Sequence, residues 1–156
     1  MAQTDYDLIT IGGGIAAASL AKVMAEADKR VLVLERETIF KDRVRGEFMV
    51  PWGLAEALAL GVEQALREAG AHDLPKFEFR LGSPGEARDF TNTTPQQLPA
   101  LSFYHPAAQE ALLSAAAQAG TEVRRGSARP AGLAATGRGS RGRRHGQAQR
   151  PPDRGR

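Results

Sequence analysis

The fold of this 156-residue chain is decided by residues 7–36, which read DLITIGGGIAAASLAKVMAEADKRVLVLER. Residues 7–11 form a short, mostly apolar run that ends at three glycines, as a buried parallel strand does. Residues 15–27 are good helix formers without a proline, and residues 31–34 are a second continuous apolar run. A strand, a glycine turn, a helix and a second strand within about 30 residues predict a right-handed βαβ unit.

The glycine turn carries the clearest chemical signal in the sequence. Gly12, Gly14 and Ala17 fit the pattern G-x-G-x-x-G/A, in which the first glycine allows a tight turn and the second lets a pyrophosphate approach the backbone. Backbone amides and the positive end of the following helix bind the phosphates, and the small third residue lets the helix pack closely on the strand. The predicted pyrophosphate site comprises six consecutive residues: Gly12, Gly13, Gly14, Ile15, Ala16 and Ala17.

An acidic residue closes the second strand where a ribose contact is expected. Glu35 follows Gly14 by about 20 residues, the spacing at which a carboxylate accepts hydrogen bonds from ribose hydroxyls. Glycine-rich turns after strands are common, but the order strand, turn, helix, strand and acid favours dinucleotide binding over a solvent-facing acid. The position of the motif near the amino terminus, and Arg36 directly after the acid, favour FAD over NAD.

Two segments of this unit resemble a known cofactor-binding fold. Residues 7–14 and 31–36 look like the glutathione-reductase-type FAD fold, and RVRGE (residues 43–47) is similar to the basic loop of the para-hydroxybenzoate hydroxylase-like monooxygenases. In that family an arginine of this loop contacts the FAD phosphates and the ribose region. The resemblance assigns this role to Arg45 first and to Arg43 second, with a solvated charged loop as the alternative.

A later segment carries the same resemblance. Residues 105–113, HPAAQEALL, resemble the helix that follows the first substrate-domain strands of the family. Relatives commonly place an arginine or glutamine near its start, where it touches the flavin, and Gln109 matches best. A plain surface glutamine is an equal alternative. The resemblance as a whole spans residues 7–125.

The resemblance implies an α/β fold, with an incomplete Rossmann-like FAD-binding domain and the start of a sheet-containing substrate domain within residues 1–125. It implies an oxidoreductase that hydroxylates a small organic substrate with FAD, NAD(P)H and oxygen. A flavin-dependent halogenase, a geranylgeranyl-reductase-like enzyme and a non-catalytic truncated fragment are the alternatives, and no catalytic residue is assigned.

The chain also departs from the family. The Gly-Asp pair with which relatives bind the ribityl and pyrophosphate groups does not occur in the sequence. We therefore expect that this chain alone does not turn over substrate. We also expect that apolar strands such as residues 31–34 lack covering layers, which would make the protein poorly soluble.

The remaining sequence up to residue 125 predicts a mixture of loops, helices and strands. The expected elements are a loop over residues 37–50, one helical stretch from residue 51 to Gly70, paired strands at 76–81 and 87–90, a loop at 92–98, a helix at 106–119 and a strand that starts at 121–124.

The composition changes at Gly126. Residues 126–156 contain eight arginines, no lysine and a single acid, and their only large aliphatic residue is Leu133. Such a segment buries too little surface to offset its chain entropy, so we expect it to be disordered. Translation in a shifted reading frame of GC-rich DNA is the favoured explanation. A nucleic-acid-binding arginine–glycine tail is disfavoured, because no aromatic residues are interleaved.

Composition also excludes several classes of site. The chain has no cysteine, which excludes disulfides, thiolate metal ligands and a thiol nucleophile. Its three histidines show no metal-ligand spacing, so we expect no metal site. No apolar run approaches the roughly 18 residues of a membrane span. Acids stand where a secretory signal would have a basic region, so we expect a cytoplasmic protein. The family resemblance implies a small-molecule substrate as its partner.

Overall fold

The computed structural model describes residues 5–43, 47–78, 80, 85 and 87–127. In chain order the elements are β1 (Leu8–Ile11), α1 (Ile15–Glu26), β2 (Val31–Glu35), β3 (Phe48–Met49), α2 (Pro51–Ala59), α3 (Glu63–Glu68), β4 (His72–Leu74), β5 (Lys76–Glu78), β6 (Ala87–Asp89), α4 (Phe90–Thr93), β7 (Ala100–Ser102), α5 (His105–Gln118) and β8 (Glu122–Arg125).

A parallel sheet with the strand order β1-β2-β8 forms the first layer. Leu8 of β1 lies beside Val31 of β2, and Val33 lies beside Val123 of β8. The predicted α/β class and βαβ unit are confirmed. The strand predicted to start after residue 120 is confirmed as well, and it belongs to this first sheet.

Helices α1 and α5 cover one face of the parallel sheet through small side chains. Ala18 and Ala21 of α1 and Ala108 and Ala116 of α5 are fully buried in one core. Because methyl side chains are small, these alanines allow the backbones of the two helices to pack closely together. The core continues into β2 through Val31 and Val33.

The expectation that residues 31–34 lack cover is wrong. All four side chains are buried, because β2 is the central strand. Val31 and Val33 pack in the core with α1 and α5, whereas Leu32 and Leu34, on the other face, are flanked by β1 and β8. The exposed apolar surface lies on β1 instead. Ile9 is 42% and Ile11 is 63% exposed, on the sheet face opposite to the helices. The position of a strand at the edge of the sheet, and not its hydrophobicity, therefore decides whether its apolar side chains are exposed to solvent.

A second, antiparallel sheet has the strand order β3-β7-β4. Phe48 of β3 and His72 of β4 both pair with Ser102 of β7. Leu101 of β7 is fully buried and joins the main core. None of these strands was predicted, because runs of two or three residues are too short to show an alternating pattern. The predicted loop over residues 37–50 is therefore wrong at its end, where β3 forms.

The helical stretch predicted from residue 51 to Gly70 is two helices and not one. Gly61 adopts a φ of +63° after α2, a conformation that glycine reaches without strain. Val62 then donates its backbone N–H to Ala57 O at 2.9 Å and buries its side chain in the core. This bend lets α3 pack against α5 separately from α2.

The predicted pairing across residues 82–85 is confirmed by β5 and β6, in which Phe77 lies opposite Arg88. The second strand ends earlier than predicted. Asp89 caps a short helix, because its Oδ1 accepts the N–H groups of Thr91 at 3.1 Å and Asn92 at 3.3 Å. Phe90, predicted to be in a strand, is the first residue of that helix.

The predicted helix at 106–119 is confirmed as α5, and Gly120 follows it with a φ of +106°. No helix in the described ranges is long and apolar enough to cross a membrane. Arg45 and residues 128–156 lie outside the described residues, so the expectations for that arginine and for the tail remain predictions.

An ion pair joins the start of β1 to the start of β2. Arg30 donates to the Asp7 carboxylate from its backbone N–H and from its Nη2 atom, each at 2.9 Å. The hydrogen bond from the Arg30 side chain is the main reason that the pKa of Asp7 falls from 3.8 to about 2. Since the folded-state pKa lies below the unfolded value, the pair stabilises the fold above pH 3.8, and this contribution is lost as the pH falls toward 2.

We therefore expect Asp7→Asn to lower the unfolding free energy at neutral pH, with a difference from wild type that shrinks as the pH falls toward 2. Urea unfolding at a series of pH values measures it. Asp28→Asn, the same change at an exposed turn after α1, is the control and should unfold like the wild type at neutral pH. A pH-independent difference for Asp7→Asn would contradict the assignment.

Candidate functional site

The glycine turn connects β1 to α1 through two hydrogen bonds that face back toward β2. Gly12 has a φ of +102° and donates its N–H to Leu34 O at 2.8 Å. Gly13 is buried and donates its N–H to Glu35 Oε2 at 2.5 Å. Gly14 is the residue before α1, with φ −68° and ψ 174°, which any amino acid can adopt.

Glu35 holds this turn in place. Its side chain is part of the interior, with the residue only 7% exposed at the end of β2. Oε2 accepts the Gly13 N–H, and Oε1 accepts the backbone N–H of Glu37 at 2.7 Å. An ionised carboxylate offers about four acceptor positions, so two remain for a ligand hydroxyl. The residue predicted to bind ribose is thus also a structural member of the turn.

The three glycines differ in what a side chain would meet. A Cβ at Gly13 would lie 3.2 Å from Leu113 Cδ2 and 3.3 Å from Glu35 Oε2, both tighter than ordinary packing. A Cβ at Gly14 would meet only Gln109 Nε2, at 3.9 Å. The protein therefore requires glycine at residue 12 for its φ and at residue 13 for space. Neither reason applies at residue 14.

The amino-terminal end of α1 opens beside Gly14. No side chain of the described residues caps the helix, and the first residue to close an intrahelical bond is Ala18, which donates to Gly14 O at 2.9 Å. The preceding N–H groups have no partner within a helix, and they carry its partial positive charge. They belong to residues 15–17 of the predicted site. Ala17 itself is partly buried.

A cavity of about 120 Å³ lies next to Glu35 and contains four of the predicted site residues. Its walls are formed by acidic, basic and aromatic side chains together with one amide: Glu35, Arg36, Glu37, Phe40, Lys41, Arg43 and Gln109. Since Gln109 also approaches Gly14, this side chain connects the cavity with the glycine turn. The structure thus brings together residues that are up to 74 positions apart in the sequence.

Glu37 is a residue of this cavity that the sequence reasoning missed. Its carboxylate accepts from Arg43 Nη2 at 2.8 Å and from Arg36 Nη2 at 3.1 Å, and Lys41 Nζ lies 3.6 Å away. The hydrogen bond from Arg36 is the main reason that the pKa of Glu37 lies below its usual value. The sequence contained a signal for this cluster, because basic residues lie one, four and six positions from Glu37.

Arg125 fastens the loop that carries these residues. Its guanidinium lies 5.0 Å from the centre of the Phe40 ring, and its Nη1 donates to Thr38 O at 3.0 Å. Its Nη2 pairs with Glu110 of α5 at 2.6 Å. One side chain of β8 therefore joins the loop after β2 to α5, and no local sequence pattern indicated this.

Within the described residues, no three histidine, aspartate or glutamate side chains are grouped so that they could hold a metal ion. The site presents backbone amides, one buried carboxylate and a set of surface cations. Together these features define a βαβ unit suited to an anionic dinucleotide.

Comparison with known proteins shows which enzymes the chain is similar to. No family model matches the chain. Squalene epoxidase 3 from Arabidopsis thaliana is 37% identical over 68 residues, which are 44% of this chain and 13% of that protein. Squalene monooxygenase SE2 from Panax ginseng is 35% identical over 86 residues, which are 55% of this chain and 15% of that protein.

Solved structures give the same result for the fold. The myxobacterial chondrochloren halogenase CndH, an FAD-dependent halogenase, has a TM-score of 0.66 at 29% identity over 78% of this chain and 28% of its own. The p-nitrophenol 4-monooxygenase PnpA from Pseudomonas putida has a TM-score of 0.64 at 22% identity, over 76% of this chain and 31% of its own, a likeness in fold alone.

The structure therefore has the α/β fold of part of an FAD-binding domain, as the sequence predicted, and the proteins that it resembles include monooxygenases and an FAD-dependent halogenase. The chain spans less than one sixth of the length of the two curated relatives. The narrower resemblance to para-hydroxybenzoate hydroxylase-like enzymes stays a prediction, as do the roles of the individual site residues.

The contrast between neighbouring glycines gives a direct test of the site. We expect Gly13→Ala to lower the unfolding free energy by about 1–3 kcal/mol, because its methyl group crowds Leu113 and the buried Glu35. Gly14→Ala should change stability by less than about 0.5 kcal/mol, since residue 14 has an ordinary φ and free space. Urea unfolding of both variants measures the difference. Equal losses would show that the protein also needs glycine at residue 14 for its own packing.

Proposed function

We propose that this chain binds FAD, with the pyrophosphate at the amino-terminal end of α1 and the adenosine ribose beside Glu35. The observation that carries the proposal is the space above Gly14. A side chain there would be tolerated by the fold, and the N–H groups of the first helical turn have no partner among the described residues of the helix or its cap. A pyrophosphate oxygen satisfies both features, because it accepts those N–H groups and needs the volume that a Cβ would fill.

The cavity beside Glu35 offers contacts for the ribose of the adenosine side of such a ligand. Glu35 retains acceptor positions for ribose hydroxyls, while Arg36, Lys41 and Arg43 place positive charge within reach of phosphate. These cations now contact Glu37, so a phosphate would compete with that carboxylate for them. Glu37 keeps the cluster folded in the absence of an anion and limits its affinity for phosphate.

The remaining part of the proposal concerns Gln109. Its amide lies beside Gly14 and on the wall of the cavity. An amide at this point can donate to a phosphate or to the flavin as the cofactor leaves the helix end. Arg45, which lies outside the described residues, follows Arg43 closely in sequence and is our first candidate for a further phosphate contact.

We further propose that the chain is a segment of a flavin-dependent monooxygenase of the para-hydroxybenzoate hydroxylase-like family. Bound flavin would supply the electron transfer and the reaction with oxygen, and NAD(P)H would supply the electrons. The residues of this chain would bind and orient the cofactor. The identities with squalene epoxidase 3 and squalene monooxygenase SE2 support oxygen chemistry.

A flavin-dependent halogenase is the second candidate. The 29% identity with the chondrochloren halogenase favours it. A monooxygenase and a halogenase would share the cofactor site and differ in the atom that they add to the product. Mass spectrometry of the product formed by a full-length protein with this segment separates them, because a monooxygenase adds oxygen and a halogenase adds chlorine or bromine.

The first test is FAD binding to the purified chain, measured by isothermal titration. We expect Gly14→Leu to weaken FAD binding at least tenfold, or about 1.4 kcal/mol, because the side chain would occupy the pyrophosphate position. Ala59→Leu, an equally bulky change at the exposed end of α2, is the matched control and should bind like the wild type. Wild-type affinity in Gly14→Leu would refute the assignment.

The second test compares the two arginines of the basic loop. We expect Arg45→Ala to weaken FAD binding more than Arg43→Ala, because the resemblance assigns the phosphate contact to Arg45 first, whereas Arg43 contacts Glu37. The exposed Arg124→Ala, on the opposite side of the parallel sheet, is the control. If neither loop variant lost measurable FAD affinity, the loop would be a solvated charged surface without a role in cofactor binding.

A further inference from the structure

The outer edge of β1 has no partner strand within the described residues. The parallel sheet has the order β1-β2-β8, so β1 pairs with β2 on one side only. Leu8 and Gly12 donate their N–H groups to carbonyls on the β2 side, at 3.2 Å and 2.8 Å. Because the direction of these groups alternates along a strand, the N–H and C=O groups of Ile9 and Ile11 point to the open edge. This edge is therefore able to accept another strand.

The opposite edge of the same sheet is protected by charge. The strand there, β8, reads EVRR and has three charged residues out of four, whereas β1 reads LITI and has none. Charged side chains on an edge strand disfavour pairing with a further strand. On β1, by contrast, Ile9 and Ile11 are 42% and 63% exposed and leave apolar surface beside the open backbone groups. Of the two edges of the parallel sheet, the β1 edge is the one that favours association.

The rest of this chain does not supply a suitable strand for the β1 edge. Residues 128–156 contain Leu133 as their single large aliphatic residue, and they follow β8, which is the strand at the other edge of the sheet. A strand that pairs with β1 needs apolar side chains beside Ile9 and Ile11, because such cross-strand contacts stabilise a sheet. A second copy of β1 has these side chains.

Two copies of β1 fit together in an antiparallel register with a twofold axis at Thr10. Ile9 of one copy then lies opposite Ile11 of the other, and each such pair exchanges two N–H···O hydrogen bonds. The four isoleucines lie on the same face of the joined sheet, where the members of each pair cover one another. No other antiparallel register places both isoleucines opposite isoleucines, so β1 is complementary to itself in one register.

Thr10 gives an independent reason for the same register. Its Oγ1 atom is buried without a hydrogen-bond partner among the described residues, an arrangement that lowers the stability of a single chain. On the twofold axis the two Thr10 residues form a non-hydrogen-bonded pair, with Cα atoms about 4.5 Å apart. Rotation about χ1 turns the two hydroxyls toward each other, and threonines paired across strands form hydrogen bonds of this kind.

We propose that two copies of this chain associate through antiparallel pairing of β1, which joins their three-stranded parallel sheets into one continuous sheet. Two four-residue strands bury less than the roughly 1,200 Å² of a stable complex. We therefore expect a weak, reversible dimer with a dissociation constant on the order of 100 µM. The association needs no flavin and is independent of the proposed function.

Sedimentation velocity of the purified full chain, from about 10 µM to about 1 mM, measures the association. The apparent mass should rise from that of one chain toward that of two. Ile11→Lys should weaken dimerisation at least tenfold, because it places a charge at the paired edge of each copy. Its side chain is largely exposed, so the fold is retained. Ile39→Lys, the same change at an isoleucine that is 76% exposed outside β1, is the control and should behave like the wild type.

Crosslinking through introduced cysteines tests the register, since the chain has no cysteine of its own. Thr10→Cys should form a disulfide-linked dimer under mild oxidation, because residue 10 meets its own copy across the axis within the distance that a disulfide spans. Ile9→Cys is the matched control. It lies opposite Ile11 of the other copy, and it should crosslink at least fivefold more slowly.

A chain that stays monomeric up to about 1 mM would overturn the proposal and would leave the β1 edge to a strand of a different protein. Association that Ile11→Lys does not weaken would place the contact elsewhere and would overturn it as well. Equal crosslinking at residues 9 and 10 would exclude the register at Thr10. The samples contain no flavin, so a failed FAD titration would refute the cofactor site and leave the dimer unaffected.

Discussion

The hydrogen bond between the Gly13 N–H and the buried Glu35 carboxylate is the constraint on which the site depends. It ties the turn after β1 to the end of β2 and so fixes the start of α1, whose first N–H groups have no partner within the helix. The same carboxylate accepts the N–H of Glu37 and thereby directs the following basic loop. A charge in the interior is stable only with such partners, and here the partners are the backbone of the cofactor turn itself.

This arrangement requires close packing around it. Gly13 leaves no room for a side chain beside Leu113, and alanines on α1 and α5 bring the two helices together over β2. The helix end, Gln109 and Glu35 can then share one surface. The other face of the parallel sheet is covered less well, since Ile9 and Ile11 remain exposed at the edge strand. The part of the fold that holds the proposed cofactor is thus better packed than the part that faces away from it.

Ion pairs connect the elements around the proposed cofactor site. Glu37 joins the cations of the basic loop, Arg125 fastens that loop to α5, and Asp7 and Arg30 join the first two strands. Most of these pairs are solvent-exposed, so each contributes little stability alone. The main effect of the pairs at Glu37 and Arg125 is to orient the loop.

The sequence by itself determined the βαβ unit, the glycine turn, Glu35 and the FAD type of fold, because each depends on residues close together in the chain with a fixed local geometry. It also located α5 and the β5–β6 pair, whose patterns are long or bounded by clear turns. Only the tertiary structure decided the rest. The strands β3, β4 and β7 are too short to show a period, and they form because they pair with one another. Gln109 reaches Gly14, Arg125 covers Phe40 and three phenylalanine rings from β3, β5 and α4 pack together through contacts between elements, which no local pattern encodes.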